Sequence, residues 1–228
     1  MPMVCGIDEA GRGPLAGPVV TAAVMLTDGF PTERLADSKR ISEAERYELE
    51  AVIREKAARW GTSCAWPDEI DRLNIHWATL LAMQRAFSAM MGLPDEAFGE
   101  APREMDVGPA PAELDRRELT EGGGLEVVPT GGRVFVDGRF TPELPWPAEA
   151  VVGGDGIVPE IMAASILAKT SRDRWMIAYA ERAPGYGFER HKGYPTPSHR
   201  RAISALGPSP IHRLSFRLTP SESASPPG

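Results

Sequence analysis

The chain opens with two apolar stretches, Met3 to Ile7 and the Val- and Ala-rich Val19 to Leu26, separated by Asp8-Glu9-Ala10-Gly11-Arg12-Gly13-Pro14. No other feature constrains the fold as strongly. Both stretches read as buried strands, and the glycine-rich turn leaves two carboxylates where the first strand ends. Ser42 followed by Glu45 makes a capping box, and Leu49, Val52, Ile53, Ala57 and Trp60 recur at helical spacing until Gly61 supplies a stop. A second helix is predicted to begin near Asn74, to carry Ala78, Leu81, Ala82, Arg85 and Ala86, and to end at Gly92 and Pro94. Leu125 to Val128, Arg133 to Val136 and Ala150 to Val152 are further strands, and Pro159 opens a long helix through about Arg182. Strands alternating with helices make this an α/β protein.

Between Pro94 and about Gly124 the composition turns to Pro, Gly, Glu and Asp with few large apolar residues, which reads as a surface insertion without structure of its own. The end of the chain, 219–228, is a polar Ser/Pro tail expected to be disordered. The remainder, residues 1–218, is expected to form one domain, because 228 residues of which 42% are apolar support one sizeable core. No apolar run approaches the roughly 20 residues needed to cross a bilayer. The N-terminus reaches the charged Asp8-Glu9 pair too soon for a secretory signal, so a cytoplasmic address is expected. Cys5 and Cys64 neither build a disulfide framework nor fall at zinc-ligand spacing, and both are read as reduced.

The formal charge of -7 argues against a generic polyanion binder, but the charges are segregated. Ser165 to Arg217 holds ten Lys or Arg against three acids, a local +7, whereas Asp95 to Glu126 holds ten acids against three Arg, a local -7. The C-terminal part could therefore face a phosphate backbone, although a solvated helical face balanced by an acidic loop explains the pattern as well.

Four acids stand where strands are expected to end: Asp8 and Glu9, Asp137 after Arg133-Val134-Phe135-Val136, and Asp155 after Ala150-Val151-Val152-Gly153-Gly154. Any one alone is a solvated turn residue. Gathered together they cannot all stay ionised without a cation. Oxygen donors without a Cys or His cluster favour Mg²⁺ or Mn²⁺ over zinc, and such a site suits phosphoryl chemistry.

From Gly6-Ile7-Asp8-Glu9-Ala10-Gly11-Arg12-Gly13-Pro14 through Leu15-Ala16-Gly17-Pro18-Val19-Val20, the sequence resembles the opening motif of ribonuclease HII. Further similarities follow in order at Asp37-Ser38-Lys39, Val136-Asp137-Gly138, Gly154-Asp155, Ala163 to Lys169, Arg172-Asp173-Arg174, His191 to Thr196, and Ser209-Pro210-Ile211-His212-Arg213 to Phe216. The resemblance implies an RNase H-like fold, a mixed central sheet with flanking helices, followed by a C-terminal helical region. It implies an endoribonuclease acting on the RNA strand of RNA-DNA hybrids and on the 5′ side of single ribonucleotides in duplex DNA. Asp8, Glu9, Asp137 and Asp155 match the family's metal-binding carboxylates, which implies Mg²⁺ or Mn²⁺ as cofactor, two ions with substrate bound. Gly11, Arg12, Gly13 and Tyr194 match the elements that recognise the ribonucleotide and the RNA-DNA junction. Ser165 joins the substrate-binding set, as do Lys39, Lys169 and Arg172 as phosphate contacts, with a simple salt bridge the alternative for Lys39 and Arg172. No membrane partner is expected, and nothing demands more than a monomer.

Two departures stand out. The acidic segment is longer than the family's usual link into the third catalytic strand, and His76 occupies a helix position where an apolar residue is expected. Ribonuclease HIII would carry an extra N-terminal domain, and with the first catalytic acid at residue eight that alternative is not the expected one. A non-catalytic nucleic-acid-binding module would be weakened by four acids aimed at a phosphate unless metals sit among them.

Overall fold

The computed structural model describes residues 3–35, 42–93, 120–124 and 131–218. Among these residues, six strands form one mixed sheet: β1 (Met3–Ala10), β2 (Val19–Met25), β3 (Arg59–Ala65), β4 (Glu121–Gly124), β5 (Gly132–Asp137) and β6 (Ala148–Val151), in the spatial order β4-β3-β2-β1-β5-β6. The β1, β2, β3 and β4 pairings are antiparallel, whereas β1 to β5 and β5 to β6 are parallel. Among the described residues, five α-helices flank the sheet: α1 (Glu43–Lys56), α2 (Pro67–Met91), α3 (Pro159–Arg182), α4 (Phe188–His191) and α5 (Pro197–Leu206). Among the described residues, no helix is long and apolar enough to cross a membrane.

The central strands are buried on both faces, as strands covered by helices must be. Ala22 and Val24 pack with Leu49 and Ile53 of α1 and with Ala163, Ala164 and Leu167 of α3 on one side. Cys5, Ile7, Ala23, Val134 and Val136 pack with Met83, Phe87 and Met90 of α2 on the other. Each fully buried Ile or Leu in these layers stabilises the fold by about 1.5–3 kcal/mol. Burial pushes the Cys5 thiol up, and Cys5 and Cys64 are both buried and not joined in a disulfide. At Gly6 the backbone of α3 comes so close that a Cβ would stand 2.2 Å from the Glu160 carbonyl carbon and the Ile161 amide. That approach seats α3 directly over β1 and brings Ser165 above Asp8.

Several elements differ from the sequence expectation. α1 ends at Lys56, and Trp60 and Gly61 belong to β3, a strand the sequence reading lacks. Ala57 and Trp60 continue the helical spacing only because the chain turns there and both remain buried. Gly61 helps hide the strand in sequence, because glycine is depleted in strands and a strand buried on both faces shows no alternation.

α2 starts at Pro67, earlier than expected, but its dihedrals break at Asn74 (φ 64°, ψ 165°). The Asn74 carboxamide oxygen accepts from the amides of His76 (2.9 Å) and Trp77 (3.3 Å), capping a fresh helical start at the expected position. His76 rests edge-on against Trp77 and Phe140. The insertion is not structureless throughout, since Glu121–Gly124 returns as the edge strand β4, and Glu121 pairs with Arg54 at 2.7 Å. The strand expected over 125–128, the tail from 219 and the Asp37-Ser38-Lys39 motif lie outside the described residues.

Candidate functional site

Asp8 and Glu9 lie inside β1, which continues to Ala10, and not beyond its end. Consecutive residues of a strand project from opposite faces. Asp8, 4% exposed, shares a face with Gly6 under α3, and Ser165 hydrogen-bonds its carboxylate. The register that pairs Ile7 with Val136 sets Asp8 beside Asp137, the last residue of β5. Asp137 in turn pairs with Val151 of β6, and its Oδ1 accepts from the Asp155 amide at 3.4 Å within the 3₁₀ turn Gly154–Gly156. Parallel pairing of β1, β5 and β6 thus carries all four acids to one edge of the sheet.

The electrostatics of this edge are unbalanced. Burial, then the charges of Glu9 and Asp137, push the Asp8 carboxyl well above the usual carboxylate range, partly offset by the Ser165 hydrogen bond. Burial also raises Glu9 against the lowering pull of Arg12, whose guanidinium is 3.4 Å from Glu9 Oε1. The other oxygen, Glu9 Oε2, is buried without a hydrogen-bond partner. Such an orphaned anionic oxygen costs free energy unless a cation meets it. An all-oxygen donor set of this kind fits a hard divalent ion. Among the described residues, no three of the acids converge closely enough to enclose one.

Beside the acids, three segments are joined into one cradle. The Leu15 amide donates to the Gly193 carbonyl at 2.8 Å, the Gly17 amide to Ile211 at 2.8 Å, and the Arg213 amide to Leu15 at 2.9 Å. Two buried arginines fasten these segments from beneath. Arg172 donates to the carbonyls of Pro18 (2.9 Å), Lys192 (3.0 Å) and Ala16 (3.1 Å). Arg213 donates to Gly17 (2.9 Å), Arg12 (3.0 Å) and Gly11 (2.6 Å). Burial lowers Arg172 to about 10; burial and the neighbouring Arg172 charge lower Arg213 to about 9, so both remain cations at neutral pH.

The resemblance offers Arg172 as a phosphate contact or a salt-bridge partner; here it is 1% exposed and its guanidinium braces the loops through their carbonyls. This geometry also changes the reason for Gly11, which has φ +94° and whose Cβ would stand 2.0 Å from Arg172 Nε. Close packing of Arg172 therefore requires that glycine, whatever else approaches its backbone. Arg12 and Gly13 are exposed on the rim. The Tyr194 ring, 41% exposed, stands across from Gly13 with the Arg172 guanidinium 5.9 Å from its centroid. Lys169 is half-buried and 2.8 Å from the Asp173 carboxylate one helical turn on. Lys39 lies outside the described residues.

Arg213 and the histidines behind Tyr194 had no assigned role in the sequence reading. The available signal was clustering: three of the four histidines fall between His191 and His212, and Arg213 closes the last motif.

The family model of ribonuclease HII matches residues 5–99 and 125–219, leaving the acidic insertion between the two parts. Ribonuclease HII of Dechloromonas aromatica is 46% identical over 214 residues, covering 94% of this chain and 90% of the relative. The ribonuclease H2 of Pyrococcus horikoshii shares the fold, with a TM-score of 0.64 at 21% identity over 95% of this chain and 94% of that one. A similar likeness holds for Bst-RNase HIII in complex with Mn²⁺, with a TM-score of 0.62 at 15% identity over 96% of this chain and 68% of that one. The family match spans the carboxylate edge and all three cradle segments, and this chain belongs to the ribonuclease HII family, hydrolytic nucleases with RNase H activity.

Proposed function

We propose that the protein cuts the RNA strand of RNA-DNA hybrids and the 5′ side of single ribonucleotides embedded in duplex DNA, serving ribonucleotide removal in the cytoplasm as a monomer. Water adds to the scissile phosphorus, the P–O3′ bond on its 5′ side breaks, and the ends are a 3′-hydroxyl and a 5′-phosphate. The observation that carries this reading is the buried, unpartnered Glu9 Oε2 beside Asp8 and Asp137, next to a cradle of backbone groups.

Asp8, Glu9, Asp137 and Asp155 would hold Mg²⁺ or Mn²⁺, two ions with substrate bound. Bound there, divalent ions lower the pKa of water and stabilise charge on the attacking and leaving oxygens. The protein's own groups do the rest. Ser165 holds Asp8 by a hydrogen bond, and Arg12 restrains Glu9. Arg12 and Gly13 on the rim, with the Gly11 backbone behind them, face the ribose, whose 2′-hydroxyl can both donate and accept. Tyr194, opposite Gly13, stacks on the adjoining sugar and senses the RNA-DNA junction. Lys169 lies where a phosphate could compete with Asp173 for its ammonium group.

The test is incubation of the full-length protein with a labelled duplex carrying one ribonucleotide, with Mg²⁺, with Mn²⁺ and with EDTA. One cut on the 5′ side of the ribonucleotide with either ion, and none with EDTA, is expected. Binding without cleavage under all three conditions would overturn the proposal in favour of a non-catalytic binding module.

A further inference from the structure

His191, His199 and His212 meet behind the Tyr194 loop. His199 is fully buried and His212 2% exposed. The rings of His191 and His199 stack at 4.3 Å, and Phe188 lies edge-on against both.

The shortest hydrogen bonds around this cluster favour one arrangement of protons. A backbone N–H can only donate and a carbonyl can only accept. The Ser209 amide donates to His212 Nδ1 at 2.8 Å, with the Ser209 hydroxyl also 2.8 Å away and able to donate, while the Ser209 carbonyl is farther off at 3.3 Å; that nitrogen therefore accepts, and a neutral His212 carries its proton on Nε2. Across 3.1 Å stands His199 Nε2. His199 Nδ1 is 2.9 Å from the Tyr194 carbonyl, so it bears a proton and donates, which leaves His199 Nε2 free to accept from His212. His191 follows the same logic: its Nδ1 accepts from the Gly193 amide at 3.2 Å, and its Nε2 donates to the Tyr186 carbonyl at 2.8 Å.

The two ends of this chain of bonds are not arbitrary. At one end, His212 is bridged through its backbone to Ala16, in the loop that follows Gly11-Arg12-Gly13. At the other, the Tyr194 carbonyl receives His199 Nδ1 as well as the Thr196 amide at 2.8 Å, and the Tyr194 amide donates to the His191 carbonyl at 2.8 Å. The Tyr194 backbone is therefore held at both polar groups, while its ring stays exposed toward the cradle.

We propose that His212 and His199 form a neutral relay, His212 Nε2–H to His199 Nε2 and His199 Nδ1–H to the Tyr194 carbonyl, that makes His199 a positioning residue for the Tyr194 ring. The proposal rests on the reading of Tyr194 as the junction-sensing residue. A second proton on His199 would set two N–H groups against each other at 3.1 Å, and one on His212 Nδ1 would face the Ser209 amide at 2.8 Å, so the relay works only with both rings neutral.

Two measurements test it. Long-range ¹H–¹⁵N correlation spectra of the full-length, metal-free protein at pH 7 read tautomers directly and involve no substrate. His199 is expected as the Nδ1–H form and His212 as the Nε2–H form. An imidazolium, or the opposite tautomer at either ring, overturns the relay.

Kinetics with Mg²⁺ then compare a duplex carrying one ribonucleotide with an RNA-DNA hybrid. His199→Ala and Tyr194→Ala should each lower kcat/KM on the single ribonucleotide by roughly tenfold more than on the hybrid, and the double variant should be no worse than Tyr194→Ala alone. His199→Asn, whose amide can place an N–H near the position of Nδ1, should recover most of that selectivity. Additive losses in the double variant overturn the positioning role. If Tyr194→Ala loses equally on both substrates, the reading of Tyr194 itself fails, and the spectra still decide the relay. Should His199→Ala not fold, His199→Asn and the spectra carry the test.

Discussion

At the scale of single residues, the carboxylate edge and the cradle use charge in opposite ways. Asp8 is buried beside two other acids, and the Ser165 hydroxyl and the Glu9 amide only partly offset the cost of its ionised form, so its charge works against the metal-free fold. Arg172 and Arg213 are buried as cations, yet their donors all find carbonyls on the loops they fasten. Asp8→Asn should therefore separate function from stability. Cleavage should fall by at least about 10²-fold, because a group acting on the developing charge is lost. The melting temperature of the metal-free protein should hold or rise by a few degrees, on the order of 1 kcal/mol for relief of like-charge burial. Calorimetry in EDTA beside a cleavage assay in Mg²⁺ checks both halves; near-wild-type activity would remove Asp8 from the site.

At the scale of elements, the acidic insertion is expected to divide into a part that can be cut and a part, β4, that cannot. Composition alone suggests that everything from 96 to 122 is dispensable. However, β4 pairs with β3, Glu121 meets Arg54, and a Cβ at Gly122 would stand 2.2 Å from the Ala89 carbonyl oxygen of α2. Replacing residues 96–118 with a short Gly/Ser linker should leave melting temperature and turnover close to wild type, since loop length costs little. Extending the replacement through Gly124 should lower the melting temperature measurably, because it removes an edge strand and its ion pair. Circular dichroism melts of the two shortened proteins make the comparison; equal stability would mean that β4 adds nothing to the sheet.

For the whole molecule, two sets of buried groups oppose each other as pH changes. Burial and the neighbouring His199 hold His212 down at about 4, and burial lowers His199. Unfolded histidines take up protons at about 6.5 while the folded ones resist, so this set removes stability as pH falls from about 6.5 toward 4. Asp8 and Glu9 have the opposite sign: their raised folded values favour the folded state as pH falls through them. His191, Tyr186 and Arg200 surround the histidine pair, and of these His191 and Arg200 further disfavour a proton on His199. His212→Gln keeps a donor near Nε2 but cannot titrate. Between pH 7 and 5 it should therefore lose less melting temperature than wild type, by scanning calorimetry. An equal or larger loss would show that His212 does not carry the acid sensitivity.

By itself the sequence determined which residues could matter and what chemistry they could do. The apolar content of Met3 to Ile7, Val19 to Leu26 and Arg133 to Val136 marks strands, the Ser42 and Pro159 signals mark helix starts, and acids at or near strand ends follow from local order alone. Those signals act over a few residues, so they can be read along the chain. What the tertiary structure decided is everything that depends on partners distant in sequence. β3 was invisible because burial on both faces erases alternation, and β4 because its glycines are strand residues only against β3 and α2. Arg172 reads as a phosphate contact or a salt-bridge partner in sequence, since a charged side chain is normally exposed; only the arrival of Pro18, Ala16 and Lys192 carbonyls around it makes a buried brace. The proton order through His212, His199 and Tyr194 likewise exists only because α5 and the C-terminal segment place two imidazoles edge to edge. A side chain's chemistry is local, but its protonation, burial and partners belong to the packed molecule.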